Sequence, residues 1–226
     1  MKERVQGEDF VADEEPVPQW PYSPPKNPEA IDILAQAYMD SDHNIGHMIN
    51  VLFNSDFFKK AQFTRIKGPA ELVAGTMRLS GGITKPLLEI VPDSNLPGYM
   101  GQMLLNPPSV EGWHEGTEWI NSGSLVERVN FAAKELSDIS KPGVRAIIDI
   151  LASTDGGQLT PEAVVDMCLE IMGTGDVDPE TRDSLISRVA EKGTISLAGH
   201  QQDDDSEKRV GELLGLIAST SEYQIN

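Results

Sequence analysis

The sequence predicts an all-α fold, an irregular multi-helix bundle with an ordered Pro/Gly/Trp-rich loop and an extended N-terminal arm. Three observations lead there. Helix-start punctuation, a capping side chain followed by proline, recurs at Asn27-Pro28, Thr160-Pro161 and Asp178-Pro179. Apolar residues in the segments that follow repeat at spacings of three and four. No set of segments alternates apolar and polar residues as paired strands do.

Taken in order, residues 1–26 form a charged, then proline-rich arm. Pro16, Pro18, Pro21, Pro24 and Pro25 forbid a helix there, while Phe10, Val11, Trp20 and Tyr22 give the arm apolar groups to pack with. Helices are expected at Pro28–Met39 and Asn44–Phe53, followed by a short one from Ser55 with Phe57 and Phe58. Pro69 opens another, with Leu72, Val73, Thr76 and Leu79 inward and Gly81-Gly82 ending it. Residues 83–95 read as irregular, Leu96–Leu105 as a short helix and 106–122 as the Trp-bearing loop. Ser124–Leu136, Pro142–Ala152, Pro161 to Gly173, Pro179 to Gly193 and Asp204–Ser219 complete the helices, with Thr194–Gln202 a polar connector. The organisation reads as an arm (1–26), a helical region containing the Trp loop (27–139), and a C-terminal helical region (140–226) packed with it as one unit.

Composition narrows the function classes. With 226 residues, 39% of them hydrophobic, the chain can build a real core. Eighteen basic against 36 acidic residues give a net charge of −18, which repels nucleic acid and anionic lipid surfaces. No apolar run reaches the length of a membrane span, and the first ten residues lack the apolar stretch of a signal peptide. As given, the chain reads as cytoplasmic; a signal peptide upstream of Met1 would make it exported. The lone cysteine, Cys168, excludes an intrachain disulfide and falls on an apolar helical stripe. No cofactor motif is present.

His43 and His47 stand four apart, the spacing of a zinc-binding helix, but lack the adjacent glutamate of that motif. They read as a capping or exposed pair, not a metal site. The loop at 106–122 stands out more. Pro107 and Pro108 extend its start, Gly112 and Gly116 permit turns about Trp113, and two of the three tryptophans lie in it. Glu111, His114, Glu115 and Glu118 surround Trp113 with titratable groups. They are the catalytic candidates, and Trp113 and Trp119 the binding candidates. The competing reading is an aromatic plug that stitches helices together.

The run Met100-Gly101-Gln102-Met103-Leu104-Leu105-Asn106-Pro107-Pro108, continued through Val110, Gly112, Trp113, Gly116, Trp119 and Ile120 to Leu125 and Arg128, resembles the C-terminal hallmark of the bacterial domain-of-unknown-function family 1800. Three further stretches are similar to that family: Val51–Phe58 with its Ser-x-x-Phe element, Lys67–Val73 with Lys-x-Pro-x-Glu, and Ala218–Gln224 near the end. The resemblance covers most of the chain. It implies a largely helical protein of uncharacterised activity, with many members exported and about twice this length. It also implies a polar, Asn/Glu/Arg-rich helical motif in an upstream half, which this chain lacks. Asp9–Glu14 resembles a mid-domain element, so the chain is similar to the C-terminal half of a member.

The expected role is therefore a non-catalytic helical packing or partner-binding half, whose partner is a missing N-terminal half or another protein. The alternative is a metal-assisted or hydrolytic enzyme with its site around the Trp113 loop.

Overall fold

In the computed structural model, which describes residues 25–82, 95–174, 177–197 and 204–225, the chain is helical throughout apart from one minimal strand pair. Ten α-helices run in sequence among the described residues: α1 Pro28–Asp40, α2 Ile45–Asn54, α3 Asp56–Lys59, α4 Pro69–Ser80, α5 Leu96–Tyr99, α6 Ser122–Ser137, α7 Pro142–Ser153, α8 Pro161–Met172, α9 Pro179–Ala190 and α10 Asp204–Ala218. The all-α expectation holds. Contacts divide the chain into two units, Met1–Ala61 and Gln62–Asn226. The boundary expected at 139/140 lies within the second unit. The arm (apart from residues 25–26) and the irregular stretch at 83–94 lie outside the described residues.

The first unit contains α1, α2 and α3, each with a side-chain N-cap. Asn27 accepts from the Ala30 N–H, Asn44 from His47 and Ser55 from Phe58. Local grammar is thus strong, yet none of the three helices contains a buried residue. Leu34, Tyr38, Met48 and Leu52 reach only partial burial.

The second unit holds the core. Leu72, Leu136, Val144, Ile147, Ile148, Leu151, Val164, Cys168, Leu213, Leu214 and Ile217 are all essentially inaccessible. Each such side chain contributes about 1.5–3 kcal/mol relative to exposure. Helix α10 lies along α6 at close range because α10 carries Gly211 and Gly215 on that face. A Cβ on Gly211 would come within 2.8 Å of Ile139 Cγ2 and of the Ser137 carbonyl oxygen. Helix α7 meets α4 in the same way, since a Cβ on Gly143 would collide with the Leu79 carbonyl and with Ser80. Main chain alone forms the α7–α4 contact, while main chain and the Ile139 side chain together meet Gly211.

Three expectations need correction. The helix expected over Leu96–Leu105 stops at Tyr99, because the chain turns left-handed at Gly101 (φ +98) and again at Leu105 (φ +63). Helix α6 begins at Ser122 rather than Ser124, since Asn121 caps it through the Ser124 N–H while Ser124 bonds back to the Asn121 N–H. The connector at Thr194–Gln202 is not merely polar. Ile195–Ser196 (β2) pairs antiparallel with Gln158–Leu159 (β1), and Ile195 and Leu197 are buried. Two residues per strand are too few for alternation to be seen in a sequence.

A charged side chain ends α9. Arg209 of α10 donates to the carbonyls of Val189, Gly193 and Thr194, at 3.0, 2.5 and 3.1 Å. The cation meets the negative end of the helix dipole, satisfies the orphan Val189 carbonyl and ties down the two carbonyls just beyond the helix. Arg145 of α7 pairs with the buried Glu207 of α10 at 2.5 Å.

The glycine contacts set the sign of two substitutions. Gly211→Ala forces α10 off α6 and lowers stability by about 1–3 kcal/mol. Gly75→Ala, in a helix with nothing within 4 Å of the new methyl, raises it by about 0.5–1 kcal/mol. Urea unfolding midpoints check both, and equal signs would contradict the packing described.

Candidate functional site

The site is built from the loop at 106–122 and the segment leading into α4. The loop leaves α5 through Leu105, whose left-handed backbone leaves the side chain 97% exposed. Ser109 and Gly112 bridge, and Gly112 takes φ +103, a conformation that favours glycine. A 3-10 turn at Gly116–Trp119 then delivers the chain to α6.

Trp119, rather than Trp113, anchors the loop. Trp119 is 6% exposed and packs against the bare face of Gly101, where a Cβ would lie 3.7 Å from the indole Cζ3. Its carbonyl accepts a 2.6 Å hydrogen bond from the buried Ser124 hydroxyl, which ties the loop to the start of α6. Trp113 is only partly buried, and its indole N–H donates to the Met103 carbonyl at 3.1 Å.

Between loop and α4 lies a cleft of about 850 Å³. Arg65, Gly68, Glu71 and Gln102 form one side; Glu111, Trp113, His114, Glu115 and Trp119 form the other. Five of the six loop candidates therefore meet at one cavity. The sixth, Glu118, does not line it but pairs with His114, Nδ1 to Oε2 at 2.5 Å, both side chains being well exposed. Arg65 Nη2 donates to both carboxylate oxygens of Glu71, at 2.6 and 2.8 Å, and a Glu71 oxygen also accepts from the Gly68 N–H. The Ala70 N–H donates to Gln102 Oε1 at 2.8 Å, fixing the amide at the cleft wall.

The other metal candidates are placed apart from any donor set. His43 takes a left-handed backbone (φ +64), lays its ring edge against Tyr38 and sits 3.7 Å from Asp42. His47 is exposed, and its backbone N–H completes the Asn44 cap. Among the described residues no group of three or more His, Cys, Asp or Glu side chains could hold a metal ion. Cys168 is fully buried, and burial pushes its thiol up to about 12, so no thiolate forms at neutral pH.

Behind the cleft is a buried polar hub that chemistry-led reading of the sequence missed. Arg128 of α6 is 0% exposed. Its Nε donates to Gln224 Oε1 at 2.9 Å and its Nη2 to the Lys67 carbonyl at 2.7 Å, while Nη1 has no hydrogen-bond partner among the described residues. Lys67 Nζ donates to the Tyr223 carbonyl at 2.8 Å and lies 4.5 Å from the centre of the Tyr223 ring. The Lys67 N–H donates to the Gln224 carbonyl, and Ile66 bridges Ile225. The Tyr223 hydroxyl shares a 2.9 Å hydrogen bond with Thr76. Burial lowers the pKa of both Lys67 and Arg128, and the nearby Glu71 carboxylate opposes that shift in each. The signal for these residues was present in another form: Lys67–Val73, Arg128 and Ala218–Gln224 are segments singled out by family resemblance, and the fold brings all three together.

The profile of a protein family described as "protein of unknown function (DUF1800)" matches residues 9–225. No curated protein and no solved structure matches the chain.

Three outcomes are expected. Arg128→Met leaves the Lys67 carbonyl and Gln224 amide oxygen without their donor and costs about 1–3 kcal/mol. In a double-mutant cycle, Arg128→Met with Gln224→Leu costs less than the sum of the single changes by about 0.5 kcal/mol or more; strict additivity would contradict the hub. Cys168, in turn, reacts with a thiol reagent at pH 8 only at the rate of unfolding, and prompt labelling of the native protein would contradict its burial.

Proposed function

The chain belongs to the DUF1800 family, and we propose that it acts by binding another polypeptide through α1, α2 and α3 rather than by catalysis of its own. One observation carries the reading. These three helices bury no residue, yet Ile31, Ile33, Met39, Ile45, Ile49, Phe53 and Phe58 are all exposed. An apolar surface of this extent on well-capped helices is the mark of an interface. Carboxylates at Glu29, Asp32, Asp40, Asp42 and Asp56 outnumber the lysines at 59 and 60 in these helices and their links. The fitting partner is therefore a helical, apolar surface with a cationic rim. The upstream half that the family resemblance implies, on the same or a separate polypeptide, is the proposed partner.

The enzymatic alternative draws support from the meeting of Glu111, His114 and Glu115 at one cleft. Against its metal form stands the lack of a three-donor group among the described residues. Elemental analysis of the purified protein decides that form: a stoichiometric metal lost in His114→Ala would favour the enzyme.

For the binding reading, the purified chain binds a hydrophobic dye strongly. Ile49→Asp with Phe53→Asp lowers dye emission about twofold or more without loss of far-UV helicity. A monodisperse monomer that leaves the dye dark would sink the proposal. Removal of residues 1–24 leaves emission unchanged; a rise would mean that this chain's own arm covers the surface, and the partner reading would fall.

A further inference from the structure

The cleft beside the Trp loop has an unbalanced charge that its own residues do not resolve. Arg65 is neutralised by Glu71 through two short contacts, and His114 is engaged by Glu118. Glu111 and Glu115 remain. Both line the cleft, and neither carboxylate has an ion-pair or hydrogen-bond partner among the described residues. They share the cavity with Trp113, which is only partly buried, whereas Trp119 reaches the cavity wall but is packed against Gly101. The one polar atom of Trp113 is already taken by the Met103 carbonyl, so what the ring has left to offer is apolar and π-electron surface.

These features select a ligand class by exclusion. An anion finds no free cation, since Arg65 is already paired, and it meets two carboxylates. A bare metal ion finds no group of three donor side chains among the described residues. A neutral apolar molecule would strip water from Glu111 and Glu115 without compensation. An alkylated cation satisfies both walls at once. Its charge is matched by the carboxylates and its carbon shell by the Trp113 indole, the pairing by which aromatic sites hold quaternary ammonium groups. The chain's net charge of −18 raises the local concentration of such a ligand.

We propose that the cleft lined by Glu111, Trp113 and Glu115, together with the Arg65–Glu71 pair, binds an organic ammonium group. The source is either a free small molecule or a lysine side chain, which offer the same charged, methylene-flanked group. This site lies in the second unit and does not depend on the proposed binding role of α1–α3.

Tryptophan fluorescence titrations test it at low ionic strength. The probes are choline for the free molecule, Nα-acetyl-lysine amide for the side chain, and 3,3-dimethylbutanol as the neutral carbon isostere of choline. One of the two cations is expected to give a saturable change below ~10 mM, and the tighter of them identifies the source. The isostere gives none. Glu111→Gln with Glu115→Gln weakens cation binding about tenfold or more; both residues are exposed, so far-UV helicity and the melting temperature stay unchanged. Trp113→Phe removes most of the optical signal. Equal binding of the isostere, unchanged affinity in the double glutamine variant, or no saturation with either cation would each overturn the assignment.

Discussion

A guanidinium group cut off from water must find its hydrogen bonds inside the protein, and the way Arg128 does so organises the second unit. Its two engaged nitrogens reach the Lys67 carbonyl and the Gln224 side chain. The segment before α4 and the last turn after α10 are thereby fixed to α6. Lys67 returns the favour through the Tyr223 carbonyl and ring. Losing either acceptor would leave the buried cation further from satisfied, so the network favours the arrangement that holds its three segments together. The cleft inherits that rigidity, since Gly68, Glu71 and Gln102 form its wall immediately beyond Lys67.

The second constraint is steric. Gly211 and Gly215 let α10 approach α6 until main-chain atoms touch, and Gly143 does the same for α7 against α4. Close approach brings the apolar residues of α6, α7, α8 and α10 into one core, and it places Arg145 against Glu207 and Arg209 against the end of α9. Each of these charges meets either carbonyls or an opposite charge. Among the described residues of the first unit no helix buries a side chain, so strong local capping coexists there with exposed isoleucines and phenylalanines.

Helix starts were the most legible feature of the sequence because their cause is local. Asn27, Thr160 and Asp178 each cap the helix that a following proline opens, as spacing alone implies. Helix faces were legible in α4, α8 and α10, which pack into the core, and not in α1 and α2, where Ile31, Ile45 and Ile49 have helical periodicity but stay exposed among the described residues. What could not be read locally has a tertiary cause. Trp113 and Trp119 are indistinguishable by composition, and only the bare face of Gly101 decides which is buried. Arg128 reads as a surface charge in an amphipathic helix until Gln224 and Lys67 are brought to it. The loop's candidate groups were found by their density, but Arg65, Glu71 and Gln102 across the cleft carry no such local mark.

The hub also orders events in time. Lys67 and Tyr223 stand 156 residues apart, and Arg128 and Gln224 96 apart. During synthesis the segment at 67, the helix at 128 and the core around α7 and α8 all emerge before the residues that complete the buried network. Loop closure over such distances is slow relative to helix formation. The second unit is thus a structure closed by its last turn. Until that turn has been made, a growing chain carries Arg128 without its Gln224 partner, and the incomplete network is most open to misassembly in that interval.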